Sequence, residues 1–194
     1  MTTTATASTR ERLLDAAAEL FYREGVGIGV EALCRTAGVS KRSMYQLFDS
    51  KDAVLAAVLQ RRAASTEALL LPPEDDGRPP RSRILHVFEQ LEAASVKPGY
   101  RGCPFLATEV ELKNPEHPAS RVARGAKQSL TDFFRTEGER GGAHDPALLA
   151  RQLTLVFDGA SARAGVGDEI LDGLTTATVG TLLDAAGLSG PEAR

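Results

Sequence analysis

The chain has 194 residues, of which 42 % are hydrophobic and 25 % are charged, and its formal net charge is −3. This composition is ordinary for a globular protein, and the negative charge argues against general nucleic-acid affinity. The charge is unevenly spread, however, since residues 1–62 carry nine Lys/Arg against seven Asp/Glu while the remainder is acidic. A small positive region on an otherwise acidic protein favours a protein that binds specific DNA sites.

The sequence lacks the patterns of a disulfide-bonded, metal-binding, secreted or membrane-spanning protein. Cys34 and Cys103 lie far apart without metal-type spacing, so we expect neither a disulfide framework nor a metal site. The first eight residues are rich in Thr and Ala and have no apolar core of the kind found in a signal peptide. No apolar run approaches the roughly 20 residues of a membrane span. We therefore expect a cytoplasmic protein with no cofactor, no metal and no membrane partner.

The N-terminal third predicts four helices, because apolar residues recur there at three- and four-residue steps. Residues 1–8 are expected to be a flexible arm. Ser8 and Glu11 form a capping box at the start of the first helix, and Gly25 ends that helix. The next three helices are predicted from about Gly29 to Ala37, over about Lys41–Leu47, and from Lys51 to about Leu70.

Five further helices are predicted, which makes an all-α chain of about nine helices. The segment 71–80, LPPEDDGRPP, is a predicted loop. The helices are expected around 84–91, from Pro104, over about 119–137, over about 146–165, and over about 168–186. Much of helices 8 and 9 carries few charges, and a helix of this kind near a chain terminus usually packs against something. We therefore predict a homodimer formed through helices 8 and 9.

The stretch Val30–Lys51, VEALCRTAGVSKRSMYQLFDSK, has the pattern of two short helices folded against each other. Gly38 lies between them, where a sharp turn needs a residue that can adopt positive φ. Ser40 is a suitable N-cap for the second helix, and Lys41 and Arg42 follow in its first turn. Two cations there oppose the helix macrodipole, an arrangement that suits a surface meeting phosphate. The stretch therefore predicts a helix-turn-helix whose second helix enters the DNA major groove.

The segment AGVSKRSMYQLFDSKDAVL, residues 37–55, resembles the signature of TetR-family transcriptional repressors. That signature typically reads AGVS, a small polar residue, an apolar one, Tyr, two variable positions, Phe, and Ser-Lys-Glu/Asp. The resemblance implies a three-helix DNA-binding domain with a helix-turn-helix over residues 1–50. It also implies that a long helix joins this domain to a helical ligand-binding and dimerisation domain, residues 51–194.

Seven side chains are candidates for contacting DNA. The candidates for phosphate contacts are Ser40, Ser43, Tyr45 and Lys51. The candidates for base edges are Lys41, Arg42 and Gln46. The alternatives are that Lys41 and Arg42 are merely solvated surface charges and that Tyr45 is a core aromatic.

Two positions depart from the family pattern. Ile28 and Gly29 stand where Thr or Ser is frequent at the start of helix 2, so a phosphate contact there would have to come from backbone N–H groups. Leu47 stands where an aromatic residue or His is common, which puts one DNA-backbone contact in doubt.

A ligand cavity is predicted among the later helices. Its candidate lining residues are Phe88, Phe105, Glu109, Phe133 and Phe157. Glu109 would be a polar anchor, with Asp158 as an alternative anchor or a dimer contact. For each phenylalanine, ordinary core packing is the competing interpretation, and for Glu109 it is a solvated surface position.

The function favoured by these features is a transcriptional repressor. It would bind a palindromic operator in double-stranded DNA as a homodimer, and a small-molecule effector would release it. An enzyme acting on a small apolar substrate in the same cavity is an alternative, although no Ser/His/Asp or Cys/His pairing, phosphate loop or metal spacing supports it. An activator with the same fold and a helical adaptor that binds only protein also stay open.

Overall fold

A computed structural model of the protein describes residues 8–167 and 170–188. Within these residues the backbone forms nine α-helices and no strand, which confirms the predicted all-α fold. The predicted flexible arm, apart from Ser8, lies outside the described residues. The helices are α1 Thr9–Glu24, α2 Val30–Ala37, α3 Lys41–Leu47, α4 Lys51–Leu70, α5 Pro80–Ser95, α6 Pro104–Leu112, α7 Pro118–Arg140, α8 Pro146–Gly165 and α9 Leu174–Ala185.

The chain divides into two compact units. Of the described residues, the first contains those up to Arg62 and the segment Pro104–Arg124, which includes α6. The second contains Ala63–Cys103 and the described residues from Gly125 onward. The functional boundary predicted between residues 50 and 51 stays a prediction.

The first unit contains a head in which α1, α2 and α3 pack against one another. The buried residues of α1 recur at helical steps, as the sequence predicts: Leu13, Leu14, Ala17 and Phe21. The predicted capping box is present, because Ser8 Oγ accepts from the Glu11 N–H at 3.2 Å and Glu11 Oε2 accepts from the Ser8 N–H at 2.9 Å. A local sequence signal therefore determines where the head begins.

The second unit is built around a core shared by α5, α7, α8 and α9. Three phenylalanines form its centre: the rings of Phe88 and Phe134 stack with centroids 5.6 Å apart, and Phe157 meets Phe88 edge-on at 6.3 Å. Aromatic pairs of this kind contribute about 0.5–1.5 kcal/mol beyond the burial of their area. These rings therefore fix the packing of α5, α7 and α8.

The predicted start of α9 is wrong. We expected the helix from about Asp168, but it begins at Leu174, and residues 168 and 169 lie outside the described part of the chain. Asp172 and Gly173 adopt positive φ values of 27° and 82°. Consecutive residues in this region of φ/ψ space form a turn and cannot continue a right-handed helix.

The N-terminus of α9 is capped by a carboxylate from α5. Glu92 accepts hydrogen bonds from the backbone N–H groups of Gly173 at 3.2 Å, Thr175 at 3.0 Å and Thr176 at 3.2 Å. A carboxylate at this position satisfies N–H groups that the helix leaves unpaired and also interacts favourably with the macrodipole. No local signal predicts this cap, because Glu92 and Gly173 are 81 residues apart in sequence.

Among the helices of residues 8–167 and 170–188, none combines the length and the hydropathy that a membrane-spanning segment requires.

Candidate nucleic-acid interface

The turn between α2 and α3 has the geometry that the sequence predicts. Gly38 adopts the left-handed conformation, with φ 62° and ψ 35°, and its N–H donates to Arg35 O at 3.2 Å. The Val39 N–H donates to Cys34 O at 3.0 Å and so closes the end of α2. An L-residue with a side chain pays a steric penalty in this conformation, whereas glycine does not. Gly38 thus allows α3 to follow α2 after a sharp change of direction.

Helix α3 is anchored on one side and exposed on the other. The Met44 side chain is fully buried. Ser40 caps the helix, because its Oγ accepts from the Ser43 N–H at 3.0 Å. Its exposed polar side chains are Lys41, Arg42, Tyr45 and Gln46. Tyr45 is 53 % exposed and is not a core residue.

The candidate DNA-contacting residues on α3 therefore share one surface region. Ser43 is half-buried and its Oγ lies 2.8 Å from Ser40 Oγ, so these two hydroxyls form a pair at the start of the helix. The exposed residues offer a guanidinium, a phenol and a carboxamide, which are groups that hydrogen-bond phosphates and base edges. We call this set (residues 40–43, 45 and 46) the α3 surface.

Lys41 has an acidic partner that the sequence analysis did not identify. Its Nζ lies 2.6 Å from Glu31 Oε1 on α2, and both side chains are largely exposed. The hydrogen bond to Glu31 raises the pKa of Lys41, and the same hydrogen bond lowers the pKa of Glu31. Exposed ion pairs of this kind are weak and exchange readily, so a phosphate can compete with Glu31 for the ammonium group.

Lys51 is partly buried and holds the loop between α1 and α2. Its Nζ donates to Val26 O at 2.8 Å and to Ile28 O at 3.0 Å. An ammonium group has three N–H donors, so one donor remains beyond these two bonds. The predicted phosphate contact of Lys51 stays a prediction, and the structure adds a positioning role for this side chain.

Helix α6 contacts the same loop through Glu111. Its Oε2 accepts from the Val26 N–H at 2.8 Å. Gly25 is tightly enclosed at this point, since a Cβ atom added there would lie 2.6 Å from Glu111 Oε2. The sequence shows no signal for this contact, because the two partners are 85 residues apart.

The start of α2 offers backbone N–H groups. Gly29 is its N-cap and provides no side-chain hydrogen bond, which agrees with the departure from the family pattern noted above. Ile28 is half-buried, and Leu47 at the end of α3 is 40 % exposed. Any phosphate contact at the start of α2 would therefore have to use the helix N-terminus itself.

The predicted ligand-binding residues are divided between the two units. Phe105 is buried in the first unit, and Glu109 Oε1 in the same unit lies 3.7 Å from Arg124 Nε. Phe88 and Phe157 are buried in the aromatic core of the second unit, whereas Phe133 is half-buried and lines a cavity. The ligand-binding role of all five residues stays a prediction.

Asp158, the alternative anchor, is used within the second unit. Its Oδ1 forms an ion pair with Lys127 Nζ, and that ammonium group also lies 5.0 Å from the centroid of the Phe157 ring. Both members of the ion pair are mostly buried. Asp158 therefore has a defined structural partner on α7.

Helices α8 and α9 carry exposed apolar side chains. On α8 these include Leu148 and Leu155, two helical turns apart, of which Leu155 is 74 % exposed. Leu174 lies exposed at the start of α9. Exposed apolar side chains on these two helices are candidates for contact with a protein partner, and the homodimer through α8 and α9 stays a prediction.

The comparisons with known proteins agree with this geometry. Residues 13–58 match the family described as "Bacterial regulatory proteins, tetR family". A solved structure of sav143, a Streptomyces avermitilis protein assigned to the TetR transcriptional regulators, is 64 % identical and superposes with a TM-score of 0.91 over 93 % of this chain and 99 % of that one. The chain belongs to the TetR family of transcriptional regulators.

Two more distant relatives are also regulators of transcription. The structure of SCO4454, a TetR-family transcriptional regulator from Streptomyces coelicolor, is 25 % identical, with a TM-score of 0.84 over 92 % of this chain and 95 % of that one. The HTH-type transcriptional regulator Rv1255c of Mycobacterium tuberculosis is 29 % identical over 94 % of this chain and 92 % of its own length. The predicted resemblance is confirmed, and with it a transcriptional regulator that has a DNA-binding helix-turn-helix.

Proposed function

We propose that this TetR-family regulator is a cytoplasmic repressor. It binds a palindromic operator as a homodimer, and a small-molecule effector releases it from the DNA. The proposal rests on the α3 surface, where Arg42, Tyr45 and Gln46 are exposed to solvent. Buried Met44 and the Ser40 cap hold this helix in place. An exposed helix with this chemistry can enter a major groove without rearranging the head.

Homodimer formation is supported by the exposed apolar side chains of α8 and α9. Leu148, Leu155 and Leu174 would lose contact with water when a second subunit covers them. Burial of apolar area stabilises association by roughly 25 cal/mol per Å² before the entropic costs of binding are subtracted. A two-fold symmetric pair would present two α3 helices, and such a pair reads an inverted repeat.

A route for effector release is supported by contacts of α6 and the start of α7. Glu111 binds the Val26 N–H beside α2, and His117 Nε2 lies 3.2 Å from Asp52 Oδ2 at the start of α4. A shift of the segment Pro104–Arg124 would therefore be transmitted to the head. An effector that favours the shifted arrangement would lower the population that fits the operator.

The test uses genomic DNA from the source organism. Fragments retained by the purified full-length protein are sequenced, and the enriched site is footprinted. We expect an inverted repeat with half-sites one or more helical turns apart, protected by a dimer. Transcription in vitro from the neighbouring promoter should fall when the protein is added. A protein that stays monomeric and retains no duplex at low ionic strength would contradict the proposal, and a rise in transcription would contradict repression.

A further inference from the structure

The second unit contains a cavity that borders the loop between α4 and α5. Its volume is about 970 Å³, which lies in the range of sites that bind drug-sized molecules. It lies between the end of α4, this loop, the start of α5 and the second half of α7. Its apolar lining includes Leu71, Pro72 and Phe133. The cavity can therefore accommodate the hydrocarbon or aromatic part of a ligand.

The charged lining of this cavity is predominantly acidic. Four carboxylates face two guanidinium groups; the carboxylates belong to Glu67, Glu74, Asp132 and Glu137, and the guanidinium groups to Arg83 and Arg140. Glu67 and Glu74 have no ion-pair partner among the described residues. Asp132 is paired with Arg135, which does not line the cavity, so the uncompensated negative charge comes from Glu67 and Glu74. This charge repels an anionic ligand and attracts a cation.

Both guanidinium groups are already bound to carboxylates. Arg83 Nε lies 2.9 Å from Glu137 Oε1, and its Nη1 lies 2.9 Å from Asp76 Oδ1. Arg140 Nη1 lies 2.8 Å from the same Glu137 Oε1. Burial alone would lower the pKa of Arg83, but the hydrogen bonds to Glu137 and Asp76 outweigh burial and raise it. The cavity therefore has little positive charge to offer to an anion.

Glu137 has an unsatisfied oxygen. The residue is only 2 % exposed, and its Oε2 is buried without a hydrogen-bond partner, while Oε1 accepts from both arginines. A buried carboxylate oxygen without a donor is costly, and a charged N–H donor is the group that satisfies it best. The Arg140 side chain is 53 % exposed, so it is the donor to Glu137 that an incoming cation can displace, taking over its hydrogen bond to the buried carboxylate.

We propose that this cavity binds amphiphilic cations that carry N–H donors, such as primary alkylammonium or amidinium compounds with an apolar body. The cationic group binds the Glu137 carboxylate, and the apolar body packs along Leu71 and Phe133. The binding of such a compound does not depend on the repressor function proposed above. Only its role as an effector rests on that function.

The first experiment is isothermal titration calorimetry on the full-length protein with three matched probes: phenylbutylammonium, phenylbutanol and phenylbutyrate. We expect one ammonium molecule per chain, with a Kd about tenfold or more below that of the alcohol, and the weakest binding for the carboxylate. Equal affinity for the ammonium and the alcohol, or tightest binding of the carboxylate, would overturn the proposal.

The second experiment locates the cation. Glu137→Gln preserves size and leaves an amide oxygen that can accept from Arg83, and we expect it to abolish the preference for the ammonium over the alcohol. Glu139→Gln is the matched control, because it removes the same charge from an exposed position on the same helix that does not line the cavity. An ammonium preference that survives Glu137→Gln would contradict the site.

A variant of the cavity rim keeps the test decisive if Glu137→Gln does not fold. Glu67 and Glu74 are exposed, so their joint replacement by Gln should leave the melting curve unchanged. We expect this double variant to reduce the ammonium preference about threefold through the loss of two nearby charges. An unchanged preference in the double variant counts against the site.

Operator release is measured separately, by the anisotropy of a labelled operator fragment. Ammonium binding with release supports both proposals. Ammonium binding without release supports the site and contradicts its role in regulation. If no operator is bound at all, the repressor proposal fails, and calorimetry still decides whether the cavity selects cations.

Discussion

Lys41 and Arg83 each form an ion pair with a glutamate, but in opposite surroundings. The side chains of Lys41 and Glu31 are 52 % and 78 % exposed, whereas those of Arg83 and Glu137 are 6 % and 3 % exposed. In water the attraction between such charges is largely screened, while in the interior each charge depends on its partner. Lys41 can therefore exchange Glu31 for a phosphate. The buried pair of Arg83 and Glu137 fixes the packing of α5 against α7.

The largest effect is expected from breaking the buried pair. Arg83→Met leaves Glu137 and Asp76 without their common partner, and removal of one member of a buried ion pair typically costs about 3–5 kcal/mol. Chemical denaturation followed by circular dichroism should show this loss. Arg135→Met is the control, because Arg135 and Asp132 form an exposed ion pair within α7. A similar loss for both variants would refute the distinction between the two environments.

The next largest effect is expected on DNA binding. Arg42 is exposed on α3 and forms no ion pair within the described residues, so it is the cation most available to a guanine edge. We expect Arg42→Ala to weaken operator binding about ten- to hundredfold and to relax the preference at one base pair. Mobility shifts with a panel of operator variants measure both effects.

Arg23→Ala is the matched control for Arg42→Ala, since Arg23 is an exposed arginine at the end of α1 and outside the α3 surface. If both variants weaken all sequences equally, Arg42 contributes only charge and does not read a base.

A smaller effect is expected from separating the exposed pair. Glu31→Gln removes the hydrogen-bonded carboxylate that holds Lys41 and also removes a negative charge near the DNA. Binding to operator and to unrelated duplex should both tighten roughly threefold, while the melting temperature stays unchanged. Glu19→Gln provides the matched loss of charge on α1. Weaker binding of Glu31→Gln would indicate that Glu31 positions Lys41 for the DNA.

The smallest effect concerns pH and reports on His86, a largely buried histidine on the same helix as Arg83. Burial lowers the pKa of His86 below its ordinary value of 6.5, and the nearby Arg78 guanidinium lowers it further. The unfolded chain therefore binds this proton first as pH falls, so the stability contributed by neutral His86 is present above about pH 6.5 and is lost below it. The slope of stability against pH between about 7.5 and 5.5 should be reduced in His86→Gln. An identical slope in both proteins would contradict this assignment.

The sequence predicts features whose causes are local. Ser8 with Glu11 and the Ser40 cap predict the starts of α1 and α3, and Gly38 predicts the turn before α3, because each acts within a few residues. The exposed residues of α3 follow from its short apolar pattern. These local signals place the head and the α3 surface.

Features that depend on distant partners could not be predicted in this way. The Glu92 cap on α9 joins residues 81 apart, and the Glu111 contact with Val26 joins residues 85 apart. The cavity beside Glu137 depends on a loop and three helices, and only Phe133 of the predicted ligand set lines it. A single sequence carries no signal for which distant side chains come together.

Gly25 and Glu111 restrict each other. A methyl group at residue 25 would overlap the Glu111 carboxylate, and the positive φ of 86° at Gly25 would itself be strained for any larger residue. Randomising both codons together and selecting for operator-dependent growth should therefore return glycine at 25 almost without exception, with shorter side chains at 111 in the rare survivors. Positions 25 and 111 would be among those at which evolution accepts the fewest substitutions.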